Sequence, residues 1–172
     1  MLQHSCSRGG AEWIFVNPPR GEFLAASSKV AGNASLVYVL RVNGVTALFT
    51  GDIESRVAKR FAGILDTAVD EPIDIFLATH HGSREGSIKE ILEVIHPRWA
   101  VLSTGANTYE HPSLEAVERL RAEGASIWCT DVNGSVTARI SGRGTLTWRA
   151  SIQVAPWWSA KAQKKTGSCV SR

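Results

Sequence analysis

The sequence predicts an α/β protein in which a mixed sheet carries helices on one face. The dipeptide Asn43-Gly44 lies between two apolar runs, and both of its residues tolerate the positive φ of a type I′ hairpin turn. After this hairpin, short apolar runs alternate with segments in which apolar residues have helical spacing. A hairpin followed by strand–helix repeats is typical of an α/β sheet with a helical layer.

The first half of the chain is predicted to form three strands and a helix. Residues 13–16 form a short strand that ends before two prolines, because proline cannot continue a strand ladder. Residues 20–32 are rich in small residues and are expected to be a loop. The hairpin strands cover residues 35–42 and 46–50, and an amphipathic helix covers residues 54–65.

The second half is predicted to continue with strand–helix units. Pro97 ends one helix, and Gly124 ends another that begins at Ser113. The predicted strands are residues 73–78, 100–103, 125–129, 136–140 and 145–148, and the first of the two helices covers residues 87–95. Residues 1–150 are thus expected to be one domain, and residues 151–172 a basic, disordered tail.

The composition is that of a globular domain. Of the 172 residues, 44% are hydrophobic and 20% are charged, which are ordinary fractions for such a protein. No apolar run approaches the roughly 20 residues of a membrane helix, and no signal peptide is evident, so we expect a cytoplasmic location. The net charge of +3 owes much to the tail, and three widely spaced cysteines predict no disulfide framework.

Three polar sites follow predicted strands. Asp52 comes directly after the second hairpin strand, His80 and His81 follow the strand at residues 73–78, and His111 lies in the loop after a third strand. A carboxylate and imidazoles at strand ends are ligands for zinc, manganese or iron. Because adjacent side chains at a strand end point in opposite directions, one histidine is expected to bind metal and the other to support it or to face substrate.

Simpler interpretations remain open for each of these residues. Asp52 alone is more typical of a turn residue or of the N-cap of the helix that follows. A pair of adjacent histidines is as often a core or surface feature as a ligand pair. Ser83, two residues after the histidines, offers a hydroxyl suited to an anionic oxygen.

Five motifs together resemble the metallo-β-lactamase domain of ComEC-type competence proteins, in which this domain is attached to a DNA-uptake membrane channel. The resemblance extends over residues 13–148. The motifs are Asn33-Ala34-Ser35-Leu36-Val37, Leu48-Phe49-Thr50-Gly51-Asp52-Ile53-Glu54, His80-His81-Gly82-Ser83, Ser103-Thr104-Gly105-Ala106-Asn107 and His111-Pro112.

The resemblance implies an αββα sandwich and a hydrolytic site with two divalent ions, Zn²⁺ or Mn²⁺. It implies that Asp52 bridges the ions and that His81 is the better candidate for a ligand of the second ion, with His80 as its neighbour and the other candidate. His111 is then expected to bind a phosphate oxygen or to move a proton. Asn33 and Ser35 are expected, with Ser83, to contact substrate, which would be DNA or another phosphodiester.

The chain departs from that family in one respect. The first half of the family's domain carries a His-x-His-x-Asp-His motif, whereas the five histidines here, His4, His80, His81, His96 and His111, include no His-x-His pair. The sequence therefore predicts only the C-terminal half of the sandwich, with an incomplete metal site. Its partner would be an N-terminal half-domain or membrane channel protein encoded separately, or a second copy of the chain. The alternatives are a catalytically inactive binding module and a truncated remnant.

Overall fold

A seven-stranded mixed sheet forms the centre of the computed structural model, which describes residues 4–18, 34–69 and 72–153. The strands lie in sequence order from β1 to β7, and β8 and β9 form a separate two-stranded sheet. The predicted loop at residues 20–32 and nearly all of the predicted tail lie outside the described residues. The strands are β1 His4–Arg8, β2 Ala11–Asn17, β3 Val37–Val42, β4 Val45–Phe49, β5 Ile75–Leu77, β6 Trp99–Leu102, β7 Ser126–Cys129, β8 Val136–Ile140 and β9 Leu146–Ala150.

The sheet changes from antiparallel to parallel pairing at β4. Strands β1 to β4 pair antiparallel, and β4 to β7 pair parallel. The predicted hairpin turn between β3 and β4 is confirmed, with φ of 50° at Asn43 and 78° at Gly44. Parallel strands need crossover connections, and the helix-containing segments between these strands provide them.

The helices lie on one face of the sheet, as predicted. They are α1 Ser55–Ala68, α2 Lys89–Ile95 and α3 Leu114–Ala122, with a single short turn α4 Thr130–Asn133 after β7. Phe61 of α1 and Ile91 of α2 belong to the same buried cluster as Val39, Leu48 and Phe76 of the strands. Each of these five side chains is fully buried, so this face of the sheet is a closed hydrophobic core.

The opposite face of the sheet carries large apolar side chains that are only half-buried. They alternate with the core residues along the strands, as the pleat of a sheet requires. The set consists of Trp13, Phe15, Tyr38, Leu40, Phe49, Ile75, Leu77, Trp99, Val101 and Trp128. We call it the open face. At one end of it, Trp148 of β9 packs on Trp99, with ring centroids 5.3 Å apart.

Several element boundaries differ from the predicted ones. Strand β1 was not predicted, because its sequence His-Ser-Cys-Ser-Arg has no apolar alternation; it is an edge strand that pairs only with β2. Strand β5 covers Ile75–Leu77 and is shorter at both ends than the predicted strand at residues 73–78; a 3₁₀ turn over Thr79–Gly82 follows it. Helix α3 begins as predicted, because the Ser113 hydroxyl accepts a hydrogen bond from the Ala116 amide.

No helix among the described residues is both long and apolar enough to cross a membrane.

Cys129 is fully buried in the core cluster, and burial raises the pKa of its thiol. It therefore acts as a small hydrophobic residue of the core.

Gly82 is the last residue of the 3₁₀ turn. Its φ is +80°, and an added Cβ would lie 2.7 Å from a Leu102 methyl carbon and 2.9 Å from Cβ of Pro112. Both the backbone angle and the space around it therefore require glycine.

We expect Gly82→Ala to lower the free energy of unfolding by about 1–3 kcal/mol, because alanine is strained at this φ and would displace its neighbours. Gly63→Ala is the matched control. Gly63 lies in α1 with no atom within 4 Å of an added Cβ, so this variant should gain about 0.5–1 kcal/mol. Urea unfolding of both variants measures the difference. A Gly82→Ala protein as stable as the parent would contradict this account of the turn.

Candidate metal centre

The ends of β4 and β5 are held together by side-chain and backbone hydrogen bonds. The Thr79 hydroxyl lies 3.2 Å from the Thr50 hydroxyl, which in turn donates to the Leu77 carbonyl at 3.0 Å. The His80 amide donates to the Gly51 carbonyl at 2.9 Å. Thr50 and Thr79 are fully buried, so the segments that carry Asp52 and the histidines leave the sheet at a fixed distance from each other.

Ser35 supports the backbone at Asp52. Its hydroxyl accepts a hydrogen bond from the Asp52 amide at 3.1 Å. Gly51 has a φ of +54°, and an added Cβ there would lie 2.9 Å from Cβ of Ser35. The Gly-Asp pair thus makes a tight turn beside Ser35, and the Asp52 side chain remains 51% exposed.

Both histidines of the 3₁₀ turn have left-handed backbone angles. The φ values are 49° at His80 and 57° at His81, so the alternation expected at a strand end does not apply to them. That expectation was wrong because β5 ends three residues before His80. The His80 ring lies near both neighbours, with centroids 6.3 Å from that of His81 and 5.6 Å from that of His111.

Asp52 and His81 form the closest pair of candidate ligands. His81 Nε2 lies 3.5 Å from Asp52 Oδ1, and His81 Nδ1 lies 2.7 Å from the Ser103 carbonyl oxygen. A carbonyl oxygen can only accept, so Nδ1 carries the proton and Nε2 of the neutral ring presents a lone pair. In that form the lone pair and the Asp52 carboxylate face each other and could hold a cation between them.

His111 is held by the loop in which it lies. The Asn107 side chain accepts hydrogen bonds from the amides of Tyr109 and His111 and donates to the carbonyls of Gly105 and His111, at 2.7 to 3.1 Å. Four hydrogen bonds from one side chain fix the loop between β6 and α3. They bring the His111 ring to that of His80.

The pKa of His111 is lowered from its ordinary value. Burial is the main cause, followed by repulsion from His80 and His81, while a hydrogen bond at Glu110 and the charge of Asp52 act in the opposite direction. Nδ1 of His111 is buried and has no hydrogen-bond partner among the described residues. The ring is thus favoured in its neutral form, in which one nitrogen can accept a proton or bind a cation.

The donor set fits part of a metal site. Two ligand atoms on one tetrahedral zinc ion, each at ~2.0–2.1 Å, lie about 3.3 Å apart, close to the 3.5 Å between the Asp52 and His81 atoms. The orientation of His81 by a backbone carbonyl is the arrangement that metal-binding histidines use. Within residues 4–18, 34–69 and 72–153, however, no group of three or more such side chains has the geometry of a metal site.

The other predicted site residues are placed differently. Ser83 is 5% exposed, so the structure does not bring its hydroxyl to the surface that carries Asp52, and substrate contact by Ser83 stays a prediction. Ser35 lies beside Asp52 but supports its backbone. Asn33 lies outside the described residues.

Some supporting residues were not identified from the sequence. Ser103 acts through its carbonyl oxygen, so its side-chain type gives no signal. Thr50 and Thr79 directly precede the two motifs and are buried polar residues between apolar strands and candidate ligands. Asn107, four residues before His111, could have been identified, because asparagine often hydrogen-bonds to nearby backbone groups in a loop.

Comparison with known proteins gives three homologues, and no family model matches the chain. Competence protein ComA of Neisseria gonorrhoeae is 30% identical over 149 residues, covering 86% of this chain and 20% of that protein. ComE operon protein 3 of Bacillus subtilis is 27% identical over 112 residues, covering 64% of this chain and 14% of that protein. Recombination protein 2 of Haemophilus influenzae is 27% identical over 115 residues, covering 66% and 14% respectively.

This chain therefore spans a fifth or less of the length of these relatives. A solved structure with partial likeness is that of the CmlA beta-hydroxylase E377D mutant, at 13% identity and a TM-score of 0.46, covering 74% of this chain and 31% of that one. The resemblance seen in the sequence motifs is confirmed by the three relatives: the chain is a homologue of the ComEC-type competence proteins.

Proposed function

We propose that this chain is part of a metal-dependent phosphodiesterase or nuclease of the metallo-β-lactamase superfamily. The observation that carries the proposal is the Asp52–His81 pair, whose facing atoms lie 3.5 Å apart with the histidine oriented by the Ser103 carbonyl. Homology to competence proteins supports the choice of a nucleic acid or related phosphodiester as substrate.

Asp52 and His81 would hold a divalent ion, Zn²⁺ or Mn²⁺, with His80 as the neighbouring candidate. When bound, one or two such ions would supply Lewis-acid stabilisation of charge and an activated water. His111, with its lowered pKa and unpartnered Nδ1, would accept a proton or contact a phosphate oxygen. Ser35 would keep Asp52 in position through its hydrogen bond to the Asp52 amide, and Asn33 and Ser83 remain candidates for substrate contact.

The candidate metal centre has fewer ligands than zinc sites normally use. Zinc sites use three protein ligands for catalysis and four for structure. Asp52 and His81 form one pair at ligand distance, and no group of three or more ligands occurs among the described residues. We infer that the remaining ligands come from an N-terminal half-domain, on a separately encoded chain or membrane channel protein. A catalytically inactive binding module is the second candidate, favoured by the same shortage of ligands.

The open face supports the need for a partner. On the side of the sheet away from the helices, a row of half-buried aromatic and aliphatic side chains keeps part of its surface accessible, and contiguous apolar surface of sufficient size marks an interaction site. A second sheet from the missing half, or from a second copy of the chain, would bury it. The same partner would then supply both cover and ligands.

For the isolated chain we expect weak binding of Mn²⁺ or Zn²⁺, because too few ligands are present for a tight site. Asp52→Asn should weaken it further, by roughly tenfold or more, since the bridging carboxylate is lost. Asp66→Asn, which removes an exposed carboxylate from α1, should leave the affinity unchanged. Titration calorimetry checks this. A tight site for two ions, or equal affinities of the two variants, would reject the partial site.

The isolated chain should also self-associate or bind an apolar dye through the open face. Leu40→Lys places a charge among its half-buried side chains and should reduce both effects. Leu114→Lys is the control, because Leu114 is 46% exposed at the start of α3. Sedimentation and dye fluorescence give the readout. A parent protein that is a monodisperse monomer without dye binding would mean that the chain needs no cover.

Catalysis should require the missing half. We expect negligible phosphodiester hydrolysis by this chain alone and Mn²⁺-dependent hydrolysis when a chain carrying the family's first half is added. In the reconstituted pair, Asp52→Ala should abolish activity. His111→Ala should lower the rate by roughly 10²-fold or more, with metal content retained.

The control for these variants is His96→Asn. His96 pairs with Glu123 at 3.2 Å and has a φ of 37°, a backbone angle that asparagine tolerates. This variant should keep full activity. Hydrolysis by the lone chain would disprove the dependence on a partner. Activity that survives Asp52→Ala would mean that Asp52 is only a turn residue.

A further inference from the structure

A small cavity opens beside the candidate metal centre. Its volume is about 200 Å³, and His81, Gly105, Asn107, Tyr109 and His111 contribute to its wall. Pockets that enclose whole drug-sized ligands measure roughly 300–1,000 Å³. This cavity therefore matches one ring system attached to a group at the metal centre, rather than a whole small molecule.

Tyr109 gives the cavity an exposed aromatic wall. Its side chain is 77% exposed, although large aromatic residues usually bury most of their surface. The ring lies 6.0 Å from that of His111, tilted by 33°, so no second ring fits between the two. The free surface of Tyr109 faces away from the protein core and is available to a ligand.

The loop that carries Tyr109 is rigid at its base. The Tyr109 amide donates to Asn107 Oδ1 at 3.0 Å, and the other Asn107 hydrogen bonds hold the flanking residues Gly105 and His111. A ring on a pre-positioned loop loses little conformational freedom when a ligand stacks on it. The exposure of Tyr109 is thus a feature of a fixed loop.

We propose that this cavity is a nucleobase subsite, in which an unpaired base of a nucleic-acid strand stacks on Tyr109 beside the candidate metal centre. The inference rests on the proposed phosphodiesterase function and narrows its substrate to single-stranded nucleic acid. Base–aromatic stacking needs an exposed ring face and a base that is not already stacked in a duplex. Because every base offers a π face, the subsite selects for strandedness with little preference for sequence.

Gly105 provides a second way to test the cavity. It lines the cavity, and no atom lies within 4 Å of an added Cβ. Gly105→Leu therefore leaves Tyr109 in place while adding bulk at the cavity wall. Tyr109→Ala removes the stacking surface instead, and Tyr109→Phe keeps it.

The experiment measures binding of the full chain to a fluorescent oligodeoxythymidine by anisotropy, with chelator present so that no metal or hydrolysis is needed. An abasic oligomer of the same length carries the same phosphates without bases. Tyr109→Ala should weaken oligodeoxythymidine binding roughly tenfold and leave abasic binding unchanged. Gly105→Leu should behave like Tyr109→Ala, Tyr109→Phe like the parent, and Ile152→Ala, which removes another exposed apolar side chain, like the parent.

Three results would overturn the subsite. The first is that the parent chain does not bind the oligodeoxythymidine. The second is that Tyr109→Ala lowers the affinity for the base-containing and the abasic strand equally. The third is that the chain binds a duplex as tightly as the single strand, and that this binding also depends on Tyr109. The proposed hydrolysis is judged separately, on a small model phosphodiester with the reconstituted pair. If that reaction fails while Tyr109-dependent binding is retained, the proposed hydrolase activity is rejected and the base subsite still stands.

Discussion

The parallel pairing of β4 with β5 is the constraint on which the candidate site depends. Residues at the carboxyl ends of neighbouring parallel strands meet at the same edge of a sheet. Here the buried hydroxyls of Thr50 and Thr79 and the amide of His80 fix the two exits against each other. Asp52 and His81 are therefore brought together by the sheet, and a ligand need not order the segments that carry them.

The two faces of the seven-stranded sheet differ in how far their apolar side chains are buried. The face toward the helices buries its central apolar side chains within this chain, whereas the large apolar side chains of the open face are half-buried. At the edge of the same sheet, no group of three or more potential ligands among the described residues has the geometry of a metal site. The proposed N-terminal half-domain would account for both observations if it packs on the open face and reaches the same edge.

The sequence predicted the parts of this architecture that depend on periodicity and turn chemistry. The Asn43-Gly44 hairpin, the amphipathic helices and the start of α3 at Ser113 follow from local rules, and Asp52 and His81 were recognisable as polar residues ending apolar runs. Strand β1 was missed because an exposed edge strand needs no apolar pattern. The orientation of His81 by a backbone carbonyl and the bracing of His111 by Asn107 are tertiary contacts, which no spacing rule encodes.

The backbone at the site argues against the reading of these motifs as ordinary turns. His80, His81 and Glu110 have φ values of 49°, 57° and 58°, and each non-glycine residue in this region costs about 1–3 kcal/mol. Such strain persists only where surrounding contacts hold it, as the Gly51 carbonyl does for His80 and Asn107 does for the loop at Glu110. An ordinary turn would relieve this cost with glycine or asparagine. Asn43, Ser87 and His96 have similar angles elsewhere among the described residues, so the angle alone does not mark a site. What distinguishes the histidine cluster is that three such residues lie together there, and the proposed metal site is built on this geometry.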